Sequence, residues 1–334
     1  MTVDSSFADR LKEFSRLTSA IRDSVSGAVI GQDRVVKLAL SAFLCRGHAL
    51  IIGAPGLAKT LLVKTLAATG NLIFKRIQFT PDMMPSDITG ALIIDDAGGA
   101  RQFRFEPGPL FANIVLGDEI NRAPPKTQAA LLEAMAEGQV TVGGETHPLP
   151  EPFFVAATQN PIEQEGTYPL PESQLDRFMV SATVDFPSAA DERRIYRNAL
   201  KGDPRQPAPI LDSRSVESLR RVVDDIVVTD TLIDYAARIV RLTRPDSPGA
   251  PDFVRDLIEW GAGPRAGCWL LAGARAFAAL DGRMHVSETD IRDLAGPTLR
   301  HRLGLSFQAE TQGISADRVI ELILEFNDGT RRKG

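Results

Sequence analysis

The segment that most constrains how this chain can fold is a short apolar run followed by a glycine-containing loop and a helix. Ala49–Ile52 is a four-residue apolar run bounded by glycines, a pattern typical of a buried strand. The loop Gly53–Thr60 has the sequence Gly-Ala-Pro-Gly-Leu-Ala-Lys-Thr, and a helical stretch follows to Ala68. A strand, a glycine loop of this length and a helix, in that order, predict a phosphate-binding loop.

Each part of this loop has a role in the predicted phosphate site. Backbone N–H groups and the start of the helix would hold the phosphates, Lys59 would reach the β- and γ-phosphates, and Thr60 would hold Mg²⁺. Ala58 stands where the usual pattern has a second glycine, and alanine tolerates a positive φ poorly. The residues predicted to bind the nucleotide here are Gly53, Ala54, Pro55, Gly56, Leu57, Ala58, Lys59, Thr60 and Leu61.

A second apolar run ends in two acids. Ala112–Leu116 indicates a strand, and Asp118 and Glu119 follow it after one glycine. Carboxylates at the C-terminal end of a parallel strand lie at the ligand-binding edge of the sheet. Asp118 would support Mg²⁺ through water, and Glu119 would be the general base that polarises an attacking water. The pair predicts ATP hydrolysis, and the chain lacks Asn-Lys-x-Asp, the motif with which GTPases recognise guanine.

Strands and helices alternate through the first half of the chain. Further apolar runs at 72–79, 153–157 and 179–184 predict an α/β fold with a mostly parallel sheet and helices on both faces. Two stretches break this rhythm, at about 91–107 and 139–149, because in each a Gly-Gly step lies between short strands. These stretches predict β-hairpins inserted into the α/β core.

The second half of the chain has helical patterning, and the expected boundary lies near Pro187. Ser287 with Asp290 has the pattern of a capping box. The last helix is expected to end at Phe326, ahead of a frayed tail. The predicted domains are an N-terminal helix (1–27), an α/β nucleotide-binding core (28–187) and an all-α domain (188–334).

The composition excludes several classes of protein. Hydrophobic residues make up 43% and charged residues 24%, the balance of a globular protein rather than of a disordered chain. No apolar run approaches the roughly 18 residues of a membrane span. The formal net charge of −5 argues against a protein that grips nucleic acid by its overall charge. Two cysteines far apart, with no signal-peptide pattern, indicate a reduced, cytoplasmic protein.

Around these motifs, over about residues 28 to 300, the chain resembles the MoxR family of AAA+ ATPases. The most specific match is Asp118–Gln128, with the sequence Asp-Glu-Ile-Asn-Arg-Ala-Pro-Pro-Lys-Thr-Gln. Gly53–Thr60 is similar to the family's own phosphate loop, which also has alanine before the lysine. The resemblance implies an AAA+ core followed by a helical lid. The other matching segments are Val29–Gln32, Ala157–Pro161, Pro169–Phe178 and Gly263–Ala266.

The resemblance also implies roles for residues outside the two motifs. Gly31 and Gln32 would line the adenine pocket, and Asn160 would be the sensor that orients water or the γ-phosphate. Arg177 would be an arginine finger that reaches the neighbouring subunit's γ-phosphate, so the resemblance implies a homo-oligomer in the form of a hexameric ring. Arg265 would bring positive charge from the lid to the nucleotide, either in cis or in trans.

The same resemblance implies a cellular role. Both hairpins would face the pore of the ring and contact client proteins, and a partner with a von Willebrand factor A domain is expected. We therefore interpret the sequence as a Mg²⁺-dependent ATPase, with ATP and Mg²⁺ as cofactors, that matures or assembles other proteins. Two alternatives stay open: a motor subunit like the magnesium chelatase ATPase, and a nucleotide-gated scaffold that hydrolyses ATP negligibly. The charge balance disfavours a helicase.

Overall fold

The computed structural model describes residues 5–95, 102–161, 166–200 and 209–331. Its strands are β1 (Ala49–Ile52), β2 (Phe74–Gln78), β3 (Gly90–Asp95), β4 (Gln102–Pro107), β5 (Ile114–Asp118), β6 (Gln139–Val142), β7 (Glu145–Pro148), β8 (Phe154–Gln159), β9 (Val180–Thr183), β10 (Ile258–Trp260) and β11 (Gly304–Leu305). Its α-helices are α1 (Ser5–Ala28), α2 (Asp33–Leu44), α3 (Lys59–Thr69), α4 (Pro85–Thr89), α5 (Pro125–Glu137), α6 (Glu172–Leu175), α7 (Ala189–Ala199), α8 (Ser213–Asp224), α9 (Asp230–Leu242), α10 (Asp252–Leu257), α11 (Pro264–Leu280), α12 (Glu288–Leu299), α13 (Phe307–Thr311) and α14 (Ala316–Arg331).

The strands predicted from apolar runs form one sheet, in the order β2–β5–β8–β1–β9. β2, β5, β8 and β1 pair in parallel, so the predicted parallel sheet is confirmed. Every residue of β5 is buried, and β8 is buried up to Gln159, as expected for central strands covered on both faces. The register sets Gln78 opposite Asp118. The carboxyl ends of β1, β5 and β8 therefore meet at one edge, from which the loop 53–60, the acid pair and Asn160 extend.

One apolar part of the core joins the sheet to α5. Val155 and Phe178 are fully buried in one apolar cluster with Leu131 of α5. The buried His48 ring connects the same elements, because its Nδ1 accepts the Val155 N–H at 3.0 Å and its Nε2 lies 3.1 Å from the Met135 carbonyl. With Nδ1 as an acceptor, Nε2 carries the proton and donates to α5. These contacts fix α5 against β8, the strand that pairs with the acid-bearing β5.

Both predicted hairpins are present. β6 and β7 pair antiparallel around Gly143 and Gly144, whose φ angles are +62° and +88°. A two-residue turn of this kind needs left-handed conformations that glycine adopts without strain. β3 and β4 also pair antiparallel, and the hairpins meet where the Phe105 ring stacks on the His147 ring with 3.9 Å between centroids. The predicted turn of the first hairpin, at 97–99, lies outside the described residues.

The described chain divides into two compact units. One contains residues 19–178 and 182–218, with the parallel sheet, both hairpins and α7. The other contains residues 5–18, 179–181 and 219–331, and apart from the first residues of β9 and the short β10–β11 pair it is mostly helical. α7 belongs to the unit that contains the sheet rather than to the unit of the later helices. The domain boundary expected near Pro187 stays a prediction.

The helical unit has its own core. α9, α11, α12 and α14 pack on one another, with Leu270, Ile291 and Ile323 fully buried. At the start of α12, Ser287 and Asp290 form the predicted capping box, in which each side chain accepts a backbone N–H of the other residue. In the parts of the chain that the structure describes, no helix is both long and apolar enough to cross a membrane.

The C-terminal helix is longer than the sequence predicts. α14 continues to Arg331 instead of ending at Phe326, so the expected frayed tail is wrong for the residues that the structure describes. Asp328 in its last turns pairs with Arg292 of α12 and accepts a hydrogen bond from the Tyr235 hydroxyl of α9 at 3.2 Å. These contacts join residues distant in sequence, which is why local pattern does not reveal them.

Candidate functional site

The loop between β1 and α3 is joined to the sheet at its first residue and has two left-handed residues. The Gly53 N–H donates to the Gln159 carbonyl of β8 at 3.3 Å, which fixes where the loop leaves the sheet. Gly56 and Ala58 have φ angles of +84° and +56°. Ala58 thus adopts the left-handed conformation that alanine tolerates poorly, at a cost of about 1–2 kcal/mol. α3 begins at the next residue, Lys59. The left-handed backbone of Ala58 therefore sets the direction in which the helix leaves the loop.

Lys59 folds back over the loop. Its Nζ donates to the carbonyls of Gly53 and Ala54, the second at 3.1 Å. Partial burial lowers the pKa of Lys59 below its ordinary value, although the negative charges of Asp118 and Glu119 oppose the shift. An ammonium group that is partly desolvated and faces carbonyl oxygens is suited to exchange them for the more negative oxygens of a phosphate.

Asp118 is buried and has a partner on each neighbouring strand. Its Oδ2 accepts hydrogen bonds from Arg76 of β2, from Nε at 3.1 Å and from Nη2 at 2.6 Å. Its Oδ1 accepts the hydroxyl of Thr158 of β8 at 2.6 Å. A carboxylate that is only 8% exposed needs such partners to keep its charge. The side chain is therefore fixed at the carboxyl edge of the sheet, where the predicted metal would lie.

Glu119 has a strained backbone and a fixed side chain. Its φ of +58° is left-handed, which is rare for any residue other than glycine and is often found at functional sites. The Glu119 N–H donates to the Thr158 hydroxyl at 2.9 Å. Its Oε2 accepts hydrogen bonds from Gln78 at 2.9 Å and from Arg122 at 3.2 Å. No other hydrogen bond to this carboxylate comes from the described residues, so Oε1 is the oxygen left to face a reactant.

These groups surround one cavity of about 420 Å³ within the sheet-containing unit. A volume of this size is in the range that holds a small ligand. Its wall brings together the loop, the acid pair, the predicted sensor and an arginine of β2. The lining residues are Pro55, Gly56, Leu57, Ala58, Lys59, Thr60, Leu61, Arg76, Asp118, Glu119 and Asn160.

The donor set of this cavity suits Mg²⁺ held together with a nucleotide. Thr60 contributes a hydroxyl and Asp118 a carboxylate, the hard oxygen ligands that Mg²⁺ prefers. Within the described residues, no group of three or more His, Cys, Asp or Glu side chains is arranged to hold a metal by itself. Mg²⁺ usually takes only one or two protein ligands and completes its shell with water and phosphate oxygens. The residues present therefore fit a metal that arrives with its nucleotide.

Gly31 and Gln32 lie beside the segment that follows β9. Gln32 is buried, and its Nε2 donates to the Asp185 carbonyl at 2.9 Å. Gly31 has a φ of +80°, and a Cβ there would lie 3.1 Å from the Asp191 carboxylate. Neither residue lines the cavity. Their assignment to an adenine pocket stays a prediction.

Arg177, one of the two arginines of the predicted site, does not line the cavity of its own unit. Arg177 is half-buried, and its Nη1 donates to the Leu132 carbonyl of α5 at 2.6 Å. Arg265 lies in the first turn of α11, in the helical unit. An arginine that serves a neighbouring subunit need not line the cavity of its own. Both roles stay predictions.

Four side chains hold the acid pair that the sequence did not predict to do so: Arg76, Gln78, Arg122 and Thr158. Arg76 and Gln78 carried a usable signal, because two long polar residues at i and i+2 lie on one face of a strand. Nothing in the sequence stated that β2 is the neighbour of β5, however. Arg122 and Thr158 lay inside matched segments without an assigned partner.

The chain is similar to known proteins over most of its length. Residues 48–180 match the model of the ATPase family associated with various cellular activities (AAA), and residues 253–323 match the AAA lid domain. Chaperone MoxR1 of Mycobacterium tuberculosis is 44% identical over 90% of this chain and 79% of its own length. A crystal structure of a protein from Cytophaga hutchinsonii superposes with a TM-score of 0.88 at 39% identity, over 95% of this chain and 96% of its own. The magnesium-chelatase 38 kDa subunit of Acidiphilium rubrum is 30% identical over 71% of this chain and 68% of its own length.

Proposed function

The chain belongs to the MoxR family of AAA+ ATPases, and from this premise we propose that it hydrolyses ATP with Mg²⁺ as an oligomer that remodels client proteins. The observation that carries the proposal is the single cavity in which Lys59, Thr60, Asp118, Glu119 and Asn160 meet. These side chains supply what phosphoryl transfer to water needs: a cation for the phosphates, oxygen ligands for the metal, a base and a polar sensor.

Each group would act at a defined point of the reaction. The loop N–H groups and Lys59 would bind the phosphates, and Mg²⁺, held by Thr60 and Asp118, would supply positive charge to the phosphate oxygens. Water would attack the γ-phosphorus while its proton passes to Glu119 Oε1, and the bond from phosphorus to the bridging oxygen breaks, giving ADP and phosphate. Asn160 would orient the water or the γ-phosphate.

The decisive experiment compares the wild type with Glu119→Gln. The amide keeps the shape of the side chain but is not a base, so turnover should fall by about 10²-fold or more while ATP binding persists. Glu133→Gln changes an exposed glutamate of α5 and should leave turnover unchanged. Equal turnover in the wild type and Glu119→Gln would sink the ATPase mechanism proposed here. Negligible turnover in the wild type as well would favour the nucleotide-gated scaffold.

The assembly proposed is a homo-oligomeric ring, with six subunits as the expected number. Its support is that Arg177, the proposed finger, does not line the cavity of its own unit. Specific activity should therefore rise with protein concentration, and Arg177→Ala should lower kcat by about 10³-fold. Arg46→Ala, in an exposed arginine of the same unit, is the control. A kcat independent of both concentration and Arg177 would exclude a finger supplied in trans.

Arg265 is proposed to read the nucleotide from the lid. Its support is its place at the start of α11, a long helix in the segment that matches the AAA lid domain. A guanidinium there would add to the positive end of the helix dipole, and both favour phosphate. Arg265→Ala should weaken ATP binding whether the arginine serves its own subunit or the next one.

The β3–β4 hairpin is the proposed contact for client proteins. Ile94 and Phe103 lie opposite each other in the register, and 60% and 74% of their surfaces are exposed. Two large apolar side chains left in solvent on one face suit an apolar segment of another protein. Phe103→Ser should reduce client remodelling and spare basal ATP turnover. Equal loss of both activities would count against a client contact at this hairpin.

The partner and the compartment belong to the same proposal. A partner with a von Willebrand factor A domain is expected, and capture of bound proteins by Glu119→Gln in ATP tests that expectation. Cys45 and Cys268 are not joined by a disulfide, which supports a reducing compartment such as the cytoplasm. Salt-sensitive binding of DNA would point instead to a nucleic-acid motor.

A second candidate is a motor subunit for metal insertion into a tetrapyrrole. The specific support is the 30% identity to the magnesium-chelatase 38 kDa subunit. Both candidates need the same ATP site, so mutation of the cavity does not separate them. The bound protein captured by Glu119→Gln does: a porphyrin-carrying subunit would favour the chelatase role over the client-remodelling role.

A further inference from the structure

We infer that Thr243 and Arg244, at the end of α9, are positioning residues that hold Arg265 in place for the nucleotide. The inference rests on the role proposed above for Arg265 and adds the residues through which that role depends on the lid. It concerns the helical unit alone, to which all three residues belong.

The backbone N–H and the carbonyl of Ala262 are both hydrogen-bonded to residues at the end of α9. The fully buried Thr243 hydroxyl accepts the Ala262 N–H at 2.9 Å and donates to the Val240 carbonyl at 2.6 Å. The next residue, Arg244, donates from Nε to the Ala262 carbonyl at 2.9 Å. Two consecutive residues therefore fix the donor and the acceptor of Ala262, and with them the orientation of that segment.

The chain also passes the end of α9 at very close range. A Cβ on Gly261 would lie 2.3 Å from the Thr243 carbonyl oxygen, so only glycine fits there. Gly261 and Ala262 are thus packed and hydrogen-bonded to α9. The clamp is defined here as Thr243 and Arg244 acting on this Gly-Ala pair.

The clamp lies directly before Arg265 in the chain. Gly263 is the N-cap of α11 and Pro264 its first residue, with a φ that the ring restricts. Arg265 follows in the same helical turn, so few freely rotating backbone bonds separate it from Ala262. A shift of Ala262 therefore changes where α11 begins and where the Arg265 side chain starts from. The end of α9 is in this way mechanically connected to the arginine that is proposed to read phosphate.

A double-mutant cycle separates positioning from a merely structural role. ATP affinity and kcat are measured for Arg244→Ala, Thr243→Val and Thr243→Ser, each in the wild type and in Arg265→Ala, with the full chain at a concentration where specific activity is constant. Arg244→Ala and Arg265→Ala should each weaken ATP binding, by about fivefold or more, and the double variant should be no weaker than Arg265→Ala. Thr243→Val should behave in the same direction, whereas Thr243→Ser keeps the hydroxyl and should retain affinity.

The controls guard against unfolding. Arg255→Ala removes an exposed arginine of α10 paired with Asp252, and it should leave ATP affinity unchanged. If Thr243→Val unfolds the lid, the half-buried Arg244→Ala and the conservative Thr243→Ser still complete the test. If the losses of ATP affinity in Arg244→Ala and Thr243→Val add in full to the loss in Arg265→Ala, the inference is overturned.

The failure of the inference and that of the wider proposal are distinguishable. A normal ATP affinity in Arg265→Ala overturns both the nucleotide-binding role of Arg265 and the clamp inference. Hydrolysis that depends on Glu119 would still support the ATPase. Weakened ATP binding in Arg265→Ala together with normal ATP binding in Arg244→Ala overturns the clamp inference alone.

Discussion

The phosphate loop and the acid pair are held in place in different ways. In the loop, Lys59 reaches carbonyls only five and six residues before it in the chain. Around the acids, the side-chain partners of Asp118 and Glu119 on neighbouring strands lie 39 to 42 residues away. Apart from the Gly53 N–H, which donates to the Gln159 carbonyl of β8, the loop is therefore held by local contacts, whereas the acid pair is assembled by the sheet.

Both regions contain a residue with an unfavourable backbone conformation. Ala58 and Glu119 each adopt a left-handed backbone although neither is glycine. Glu119 is stabilised in this state by hydrogen bonds to its N–H and to its carboxylate, but no side-chain hydrogen bond is available to Ala58. The comparison indicates that strain at the acid pair is compensated by tertiary contacts, while strain in the loop is carried by the backbone alone.

The largest effect is expected from removing the charge of the local region. Lys59→Met keeps much of the apolar stem but cannot donate to phosphate, so kcat/KM for ATP should fall by about 10²–10³-fold. Steady-state kinetics measure this loss. Lys64→Met, in the next lysine of α3, which is exposed, should leave kcat/KM unchanged.

The same lysine should give the wild type a pH dependence. Because partial burial lowers the pKa of Lys59, its charged form is lost at a lower pH than for an ordinary lysine. ATP affinity should therefore decline as the pH rises through that lowered value. An affinity that stays constant while Lys59 is shown by titration to lose its proton would contradict the role given to its charge.

The next effect tests whether the acid pair depends on the sheet. Gln78→Ala removes the strand β2 amide that donates to Glu119 Oε2, leaving the Arg122 contact. The carboxylate should then turn away part of the time, so kcat should fall about tenfold with little change in ATP affinity. Single-turnover kinetics test this directly. A change in affinity with an unaltered chemical step would mean that Gln78 serves nucleotide binding instead.

The same difference between local and tertiary contacts decides which parts of the fold and of the site could be predicted from the sequence. The contiguous motif of the loop, the order of strands and helices, both hairpins and the capping box at Ser287 are all encoded within a few residues, and the structure has them. α5 was not predicted, although Pro125 near its start and Gly138 after its end are helix boundary signals. Only the first four residues of this helix, 125–128, lie in a matched motif, and no prediction covers the others.

Contacts between strands could not be predicted in this way. Arg76 and Gln78 become site residues because β2 pairs with β5, and Thr158 because β8 lies on the other side. The strand order depends on the whole fold rather than on any one segment. The acid pair could therefore be proposed from sequence, whereas the side chains that orient it could be found only from the strand order of the sheet.

A smaller effect should come from the cation beside the buried acid. Arg76→Ala leaves Asp118, which is 8% exposed, with the Thr158 hydroxyl but no arginine. Arg76 itself is about half exposed, so solvent screens part of the interaction, and the free energy of unfolding should fall by about 1 kcal/mol. Urea unfolding measures the change. Lys75→Ala, an exposed neighbour on the same strand, should have little effect, and an equal loss in both variants would attribute the effect to the strand rather than to the ion pair.

The smallest effect should come from relieving the strain in the loop. Ala58→Gly removes the Cβ that makes a φ of +56° unfavourable, which gains about 1–2 kcal/mol, but the more flexible glycine costs about 0.5–1 kcal/mol through the unfolded state. The net expectation is a gain of about 1 kcal/mol in the free energy of unfolding, within a range from zero to about 1.5 kcal/mol. Ala68→Gly, within the helical part of α3, should instead lose about that amount. Loss of stability in both variants would mean that Ala58 is held without strain, and the contrast between a strained loop and a compensated acid pair would fail at the loop.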